Sequence, residues 1–303
     1  MSIPHAPNQA LLAAGLMVMA MVIIGFIDNF IVIIAGEIGI WQFHVVRSTM
    51  ALALIALMSH FGMGTLRPAR FWAVAVRSAL IGLGMLFYFG ALAFMPFAQA
   101  VAGLFTSPLF VLLITVAVLR HSIGPWRIVA VGIGFAGILL VLNPDVANLS
   151  WLTFMPVAGG LFYAMGAVAT RALCEGESTL CMLFGIMAIQ GVFGIVALVL
   201  LGVVDPQIPD GAAGFLLRGW VWPIWNVMHL LVLQAVGSVI GVALIIRSYQ
   251  LGEASQVAVL EYTALVFGPF FAWILLGQSI SLWQAGGIAM IAGAGIIIAL
   301  RSR

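Results

Sequence analysis

The chain has 303 residues, of which 64% are hydrophobic and 7% charged, where an ordinary soluble domain carries about 25% charged residues. A water-soluble globular fold is excluded. Eleven arginines, no lysine and nine acidic residues leave a net charge of +2, too sparse and scattered for a phosphate-binding face, which excludes nucleic acid as a main partner. The two cysteines, Cys174 and Cys181, lie near one connection without a second Cys or His pair at metal spacing. No disulfide framework, metal site or cofactor is implied.

Ten apolar runs, each sized for a hydrocarbon core about 30 Å thick, are separated by charge, Pro or polar clusters. They fall at about 10–34, 39–60, 71–93, 97–119, 126–143, 149–171, 179–203, 224–249, 254–276 and 281–301. The first lacks a basic flank and a small-residue cleavage site and reads as a retained helix. With ten spans, Arg67, Arg70, Arg77, Arg120, Arg127, Arg171, Arg247, Arg301 and Arg303 all border one side. The other side receives Glu37, Asp145, Asp205 and Asp210, with Arg218 as its only loop arginine. Basic flanks stay cytoplasmic. The expected fold is therefore an all-α integral membrane protein with ten transmembrane helices and both termini cytoplasmic.

Sliding the chain on itself by 157 residues aligns Gly84 with Gly241, Gln99 with Gln256, Thr106 with Thr263 and Phe110 with Phe267. The same shift aligns Leu119 with Leu276, Ser122 with Ser279, Ile123 with Ile280 and Trp126 with Trp283. Helices three to five thus map onto eight to ten, giving a five-helix repeat over 1–145 and a second over 146–303. An odd number of spans makes the second repeat inverted, the pattern of secondary transporters that rock about a midplane site. Pro108 and Pro269 interrupt equivalent helices, and each is read either as a hinge or as a packing bend. Gly132, Gly134 and Gly137 in helix five, and Gly286, Gly287, Gly293 and Gly295 in helix ten, are expected to let backbones approach closely at helix interfaces.

The stretch from Ala91 to Trp126, with SPLF at 107–110, and that from Gly252 to Trp283, with LLGQSISLWQ at 275–284, resemble the two EamA repeats of the drug/metabolite transporter superfamily. The chain is most similar in length and segments to its bacterial YddG-type exporters. That resemblance implies export of aromatic or other neutral amino acids from the cytoplasm, across the bacterial inner membrane. One departure stands out: many relatives carry Glu where this chain has Gln278, and the first-half equivalent is His121.

Ionisable groups inside a bilayer are costly enough that each is a functional candidate. Asp28 and Arg47 sit at similar depth on adjacent antiparallel helices, which predicts a structural ion pair; the alternative is that Asp28 binds a proton or a substrate ammonium. Glu261, beside Tyr262 in the ninth segment, either attracts an amino group or bonds a neighbouring helix. His229 is read as a proton relay or an interface residue. Tyr88, Gln99, Tyr163, Asn226 and Gln234 lie on the helices that the resemblance places around a central cavity. There they would supply hydrogen bonds to an amphoteric solute, with Phe87, Phe105, Trp225 and Phe267 as an aromatic wall. Trp225 also fits an interfacial belt with Trp220 and Trp222.

The expected function is secondary transport of a small metabolite, with a lipid bilayer as surroundings and the oligomeric state open. The competing readings are a membrane enzyme acting on lipid or prenyl chains and a passive channel. An enzyme would need clustered carboxylates for Mg²⁺ or a nucleophile with its base. The closest acidic pair, Glu175 and Glu177, reads as a solvated loop, and no G-x-S-x-G, H-E-x-x-H or Walker-type loop occurs, which also argues against an ATP-driven pump.

Overall fold

A computed structural model describes residues 7–107, 110–111, 113–114, 125–142, 151–251 and 260–301. Pro108, one of the two expected hinges, and His121 lie outside them. Among the described residues all regular structure is helical. The helices are α1 (Pro7–Ile27), α2 (Ile31–Glu37), α3 (Ile40–His60), α4 (Phe71–Leu92), α5 (Phe97–Leu104) and α6 (Pro125–Leu142). The chain continues through α7 (Trp151–Leu173), α8 (Thr179–Val204), α9 (Trp225–Leu251), α10 (Ala264–Leu276) and α11 (Leu282–Arg301). A helix lies in each of the ten apolar runs, α1 and α2 sharing the first across a 3-10 turn at Asp28–Phe30. Among the described residues six stretches are long and apolar enough to cross a membrane: Leu11–Glu37, Ile40–His60, Phe71–Leu92, Trp151–Thr170, Thr179–Val204 and Trp225–Ser248.

Local chemistry sets the helix ends. Pro96 precedes α5, and α10 stops at Gly277, whose φ of 65° is left-handed. There the Gln278 N–H donates to the Ala272 carbonyl at 3.2 Å and that of Gly277 to Trp273 at 3.1 Å, closing the last turn. Four residues later α11 opens on a reciprocal cap. The Ser281 N–H donates to Gln284 Oε1 at 3.0 Å, and the Gln284 N–H to Ser281 Oγ at 3.2 Å. Before α4, the Ala69 and Arg70 N–H groups donate to the Glu177 carboxylate at 3.0 and 2.8 Å, tying the second-to-third connection to the sixth-to-seventh. Glu177 is thus a structural clamp within the loop where sequence placed it.

The helix pairing repeats itself when the two halves are exchanged. The main pairs are α4 with α7, α6 with α11, α3 with α8 and α1 with α9, followed by α4 with α8, α3 with α9, α5 with α7 and α1 with α10. Counted as ten spans, these are 3–6, 5–10, 2–7, 1–8, 3–7, 2–8, 4–6 and 1–9, and replacing every span by its counterpart five away returns the same set. Where α4 crosses α7 the backbones touch. A Cβ on Gly84 would stand 2.9 Å from the Gly159 carbonyl oxygen, and one on Gly159 3.0 Å from that of Gly84. Gly241, which the repeat aligns with Gly84, lies in the equivalent crossing, against Ile24 of α1.

Gly137 and Gly287 bring α6 and α11 together in the same reciprocal way. Gly132, Gly286 and Gly293 have nothing within 4 Å of a Cβ position, and Gly295 instead seats the Tyr262 ring. The expectation of interface packing is corrected for Gly132, Gly286 and Gly293, whereas Gly295 meets it against the ninth segment. The main core gathers side chains of α1 to α7 and α9 to α11, with Phe43, Ile31, Ile34, Leu231 and Leu265 fully enclosed. Outward faces carry exposed apolar side chains such as Phe71, Val199, Leu200, Val203, Leu282 and Trp283. Water would not tolerate so much contiguous apolar surface. The chain is a multi-pass membrane protein.

Candidate functional site

In a helix that is apolar on every side, a buried polar residue needs a partner on another helix. Fourteen such residues are buried among the described ones, and most converge on one place. The first span tightens to a 3-10 turn at Asp28–Phe30, a departure that in mid-helix often marks a functional site. Asp28 Oδ2 accepts from the Tyr88 hydroxyl at 2.9 Å. Gln234 of α9 lies beside it, its Nε2 donating to the Ile27 carbonyl at 2.6 Å. Asn29 Nδ2 donates to the carbonyls of Gly25 at 2.6 Å and Gly268 at 3.1 Å, linking this turn to α10.

Arg47, only 2% exposed, stands on α3. Its guanidinium donates to Gln190 Oε1 of α8 and, at 3.4 Å, to Ser238 Oγ of α9. Gln190 is the twelfth of 26 residues in α8 and Ser238 the fourteenth of 27 in α9, so the arginine head sits near mid-span. Its carbon Cζ lies over the rings of Phe89 and Phe43, with centroids at 4.7 and 5.1 Å, an arrangement that attracts a cation to the π faces.

The expected ion pair takes a different form. Asp28 and Arg47 are close enough to feel one another electrostatically, yet no ion-pair contact joins them among the described residues. Depth brought the two together, but the rotation of each helix turns Asp28 towards Tyr88 and Arg47 towards Gln190 and Ser238. Both charged groups come from the first half, and the groups that hold the Arg47 head, Gln190 and Ser238, come from the second.

One end of this cluster is closed by packing. The Phe97 ring at the start of α5 lies directly on Gly268 of α10, whose carbonyl is the one Asn29 holds. The Phe97 N–H donates to Gln278 Oε1 at 3.3 Å. What remains is a crevice of about 10 Å³ that Asp28, Asn29, Val32 and Gln278 help to line. A far larger cavity, about 400 Å³, runs along α10 and α11 between Val266, Phe270, Trp273 and Ile280. It is entirely apolar in its lining residues and bordered by exposed side chains, so it is a lipid-facing groove with no chemistry to recognise a solute.

The other residues singled out from sequence divide into two groups. Tyr163 is within electrostatic reach of both Glu261 and Arg77, and Glu261 of its neighbour Tyr262. Tyr262 meets Phe105 edge-on at 5.3 Å, and Phe87 stacks on Phe162 at 5.7 Å. Gln99 is half-buried on α5, and Pro269 is buried inside α10. Arg77, inside the third span, is buried on α4, donating to Thr170 Oγ1 at 2.9 Å and the Met182 carbonyl at 3.1 Å. By contrast Trp225, 64% exposed, Asn226 and His229 project outwards at the start of α9. They do not join the buried cluster, and Trp225 meets Trp222 edge-on at 5.5 Å, as a belt at the membrane surface would. His44, Ser48, Gln190, Ser238 and Asn29 were missed from sequence. Their signal was available: each is a polar residue inside an apolar run, where burial is costly. The two cysteines are free and buried, and burial raises the pKa of the Cys174 thiol.

A membrane-embedded helical bundle whose polar groups meet in its interior has the architecture of a solute carrier. The chain belongs to the EamA-like transporter family, whose profile matches residues 11–143 and again 149–300, within the drug/metabolite transporter superfamily. It is 26% identical to a riboflavin transporter of Vibrio cholerae, over 98% of this chain and 93% of that one. An S-adenosylmethionine uptake transporter of Rickettsia bellii is 24% identical, over 75% of this chain and 72% of that one. An uncharacterized transporter of Helicobacter pylori is 23% identical, over 97% and 96%. One crystal structure superposes with a TM-score of 0.65 at 16% identity, covering 97% of this chain and 96% of its own, a likeness of fold. The chain is a small-molecule transporter, and its relatives are named for transport rather than catalysis.

Proposed function

We propose that this carrier works by alternating access and moves neutral, amphoteric amino acids, aromatic ones among them, out of the cytoplasm across the bacterial inner membrane. Ten spans in two inverted halves, 1–145 and 146–303, with both termini cytoplasmic, rock about the buried cluster, and Pro269 and Pro108 serve as hinges. The exchange symmetry of the helix pairs supports the twofold relation. The observation that carries the reading is the burial of Asp28, bonded to Tyr88, within electrostatic reach of Arg47, which Gln190 and Ser238 hold. An acidic and a basic group within electrostatic reach of one another, with Tyr88 on the first and Phe43 and Phe89 on the second, complement a solute bearing one ammonium, one carboxylate and a ring. Tyr163, Glu261 and Tyr262 form a second polar station, with Gln99 on the neighbouring helix.

The relatives' names supply the competing solutes, riboflavin and S-adenosylmethionine. Counterflow in proteoliposomes decides among them. Unlabelled phenylalanine or tryptophan inside is expected to accelerate uptake of the labelled amino acid. Acceleration by riboflavin or S-adenosylmethionine alone overturns the amino-acid assignment, and conversion of solute to a new species overturns transport itself.

A further inference from the structure

His44, Arg47 and Ser48 share one face of α3 by their spacing of three and four residues. All three are at most 2% exposed. Both ring nitrogens of His44, the Arg47 Nε and the Ser48 hydroxyl have no hydrogen-bond partner. A buried polar group left unpaired is costly, and native structures pair the great majority of theirs. Four unpaired atoms within two turns of one helix are a poor solution for rigidity alone. They are a good one for a surface completed by something that arrives.

The chemistry of the missing partner follows from the groups present. Arg47, the imidazole and the serine hydroxyl can all donate, and a guanidinium binds planar, bidentate acceptors best. The arginine is held only by neutral side chains of α8 and α9, so no contact neutralises its charge. A single positive charge with a carboxylate nearby suits a monoanion, since the Asp28 charge would oppose a doubly charged group. The flat rings of Phe43 and Phe89 confine the head from the sides. We infer that Arg47, with His44 and Ser48, is the carboxylate subsite of the transported solute. Gln190 and Ser238 hold the guanidinium until that carboxylate displaces them. This rests on the amphoteric solute proposed above.

Calorimetric titration of the purified full-length carrier in detergent tests it with three probes: L-phenylalanine, 3-phenylpropionate, which lacks the amine, and phenethylamine, which lacks the carboxylate. Wild type is expected to bind the first two more tightly than the third. Arg47→Gln is expected to weaken both carboxylate probes at least about tenfold while leaving phenethylamine within about twofold. Arg47→Lys restores part of the loss, and Ser48→Ala and His44→Gln shift the same ranking by smaller factors. Should Arg47→Gln fail to fold, the last two decide by that ranking, which a general loosening of the core does not change. Equal weakening of all three probes, or an unchanged ranking, overturns the subsite while leaving amino-acid transport standing. Failure of wild type to bind either carboxylate probe overturns both.

Discussion

The Tyr88 hydroxyl donates to the Asp28 carboxylate across 2.9 Å, joining α4 to the 3-10 turn of the first span. Both residues are at most 4% exposed, so water cannot replace the bond. Tyr88→Phe is expected to lower stability by about 1–3 kcal/mol, read as a fall in melting temperature in detergent. Asp28→Asn combined with Tyr88→Phe should cost less than the sum of the two. Strict additivity would show that the bond contributes nothing.

Phe97 sealed against Gly268 predicts how the crevice above Asp28 opens. A methyl at position 268 overlaps the Phe97 ring, so Gly268→Ala must displace it. Val32→Cys, in the crevice lining, is expected to react several-fold faster with a membrane-impermeant maleimide in the Gly268→Ala background. An unaltered labelling rate rejects Phe97 as the closure.

The glycines separate into those that are needed and those that are not. Gly84→Ala places a methyl against the Gly159 backbone, which has no side-chain freedom with which to yield, and is expected to cost about 1–3 kcal/mol. Gly132→Ala and Gly286→Ala enter open space and should be neutral or stabilising by up to about 1 kcal/mol. Thermal unfolding of the three variants is the measurement, and similar losses in all of them would contradict this division.

Arg218 is the single arginine that breaks the basic asymmetry of the loops, and the structure gives it a task. Its guanidinium donates to the carbonyls of Ala35 at 2.9 Å, Ile38 at 3.1 Å and Gly211 at 2.8 Å. A cation there complements the negative end of α2. Together with Trp41 donating to Leu216 and Gln42 bonded twice to Val221, it clamps the 205–224 connection onto the first two spans. Arg218→Gln is expected to cost about 1–3 kcal/mol and to speed proteolysis within that connection. Cleavage no faster than wild type would remove the clamp.

The threading proposed for the spans makes a prediction of its own. Cysteines introduced at Thr65 and Pro209 should be labelled from opposite faces of the membrane, the first from the cytoplasm. Labelling of both from one face overturns the inverted topology.

Element positions were legible because apolar run length is a direct physical requirement of the bilayer, and a helix lies in each of the ten runs. Side-chain partners were not, because they depend on azimuth. The long helices are apolar nearly all round, so periodicity does not reveal which face turns inwards. Depth alone paired Asp28 with Arg47, whereas rotation gave them Tyr88, Gln190 and Ser238 instead. Rotation likewise turns Trp225, Asn226 and His229 outwards and Gln234 inwards on the same helix. The spacing of His44, Arg47 and Ser48 was visible in the chain, but their shared want of partners appears only when the neighbouring helices are in place.

The uneven split of the buried cluster has an evolutionary reach. Arg47 comes from one half and the amide and hydroxyl that hold it, Gln190 and Ser238, from the other, so the pieces fit as lock and key rather than as twins. A homodimer assembled from two copies of the amino-terminal half would confront arginine with arginine at its centre and deny each its amide. Exchanging one half for a copy of the other would therefore leave the guanidinium without the amide and hydroxyl that hold it.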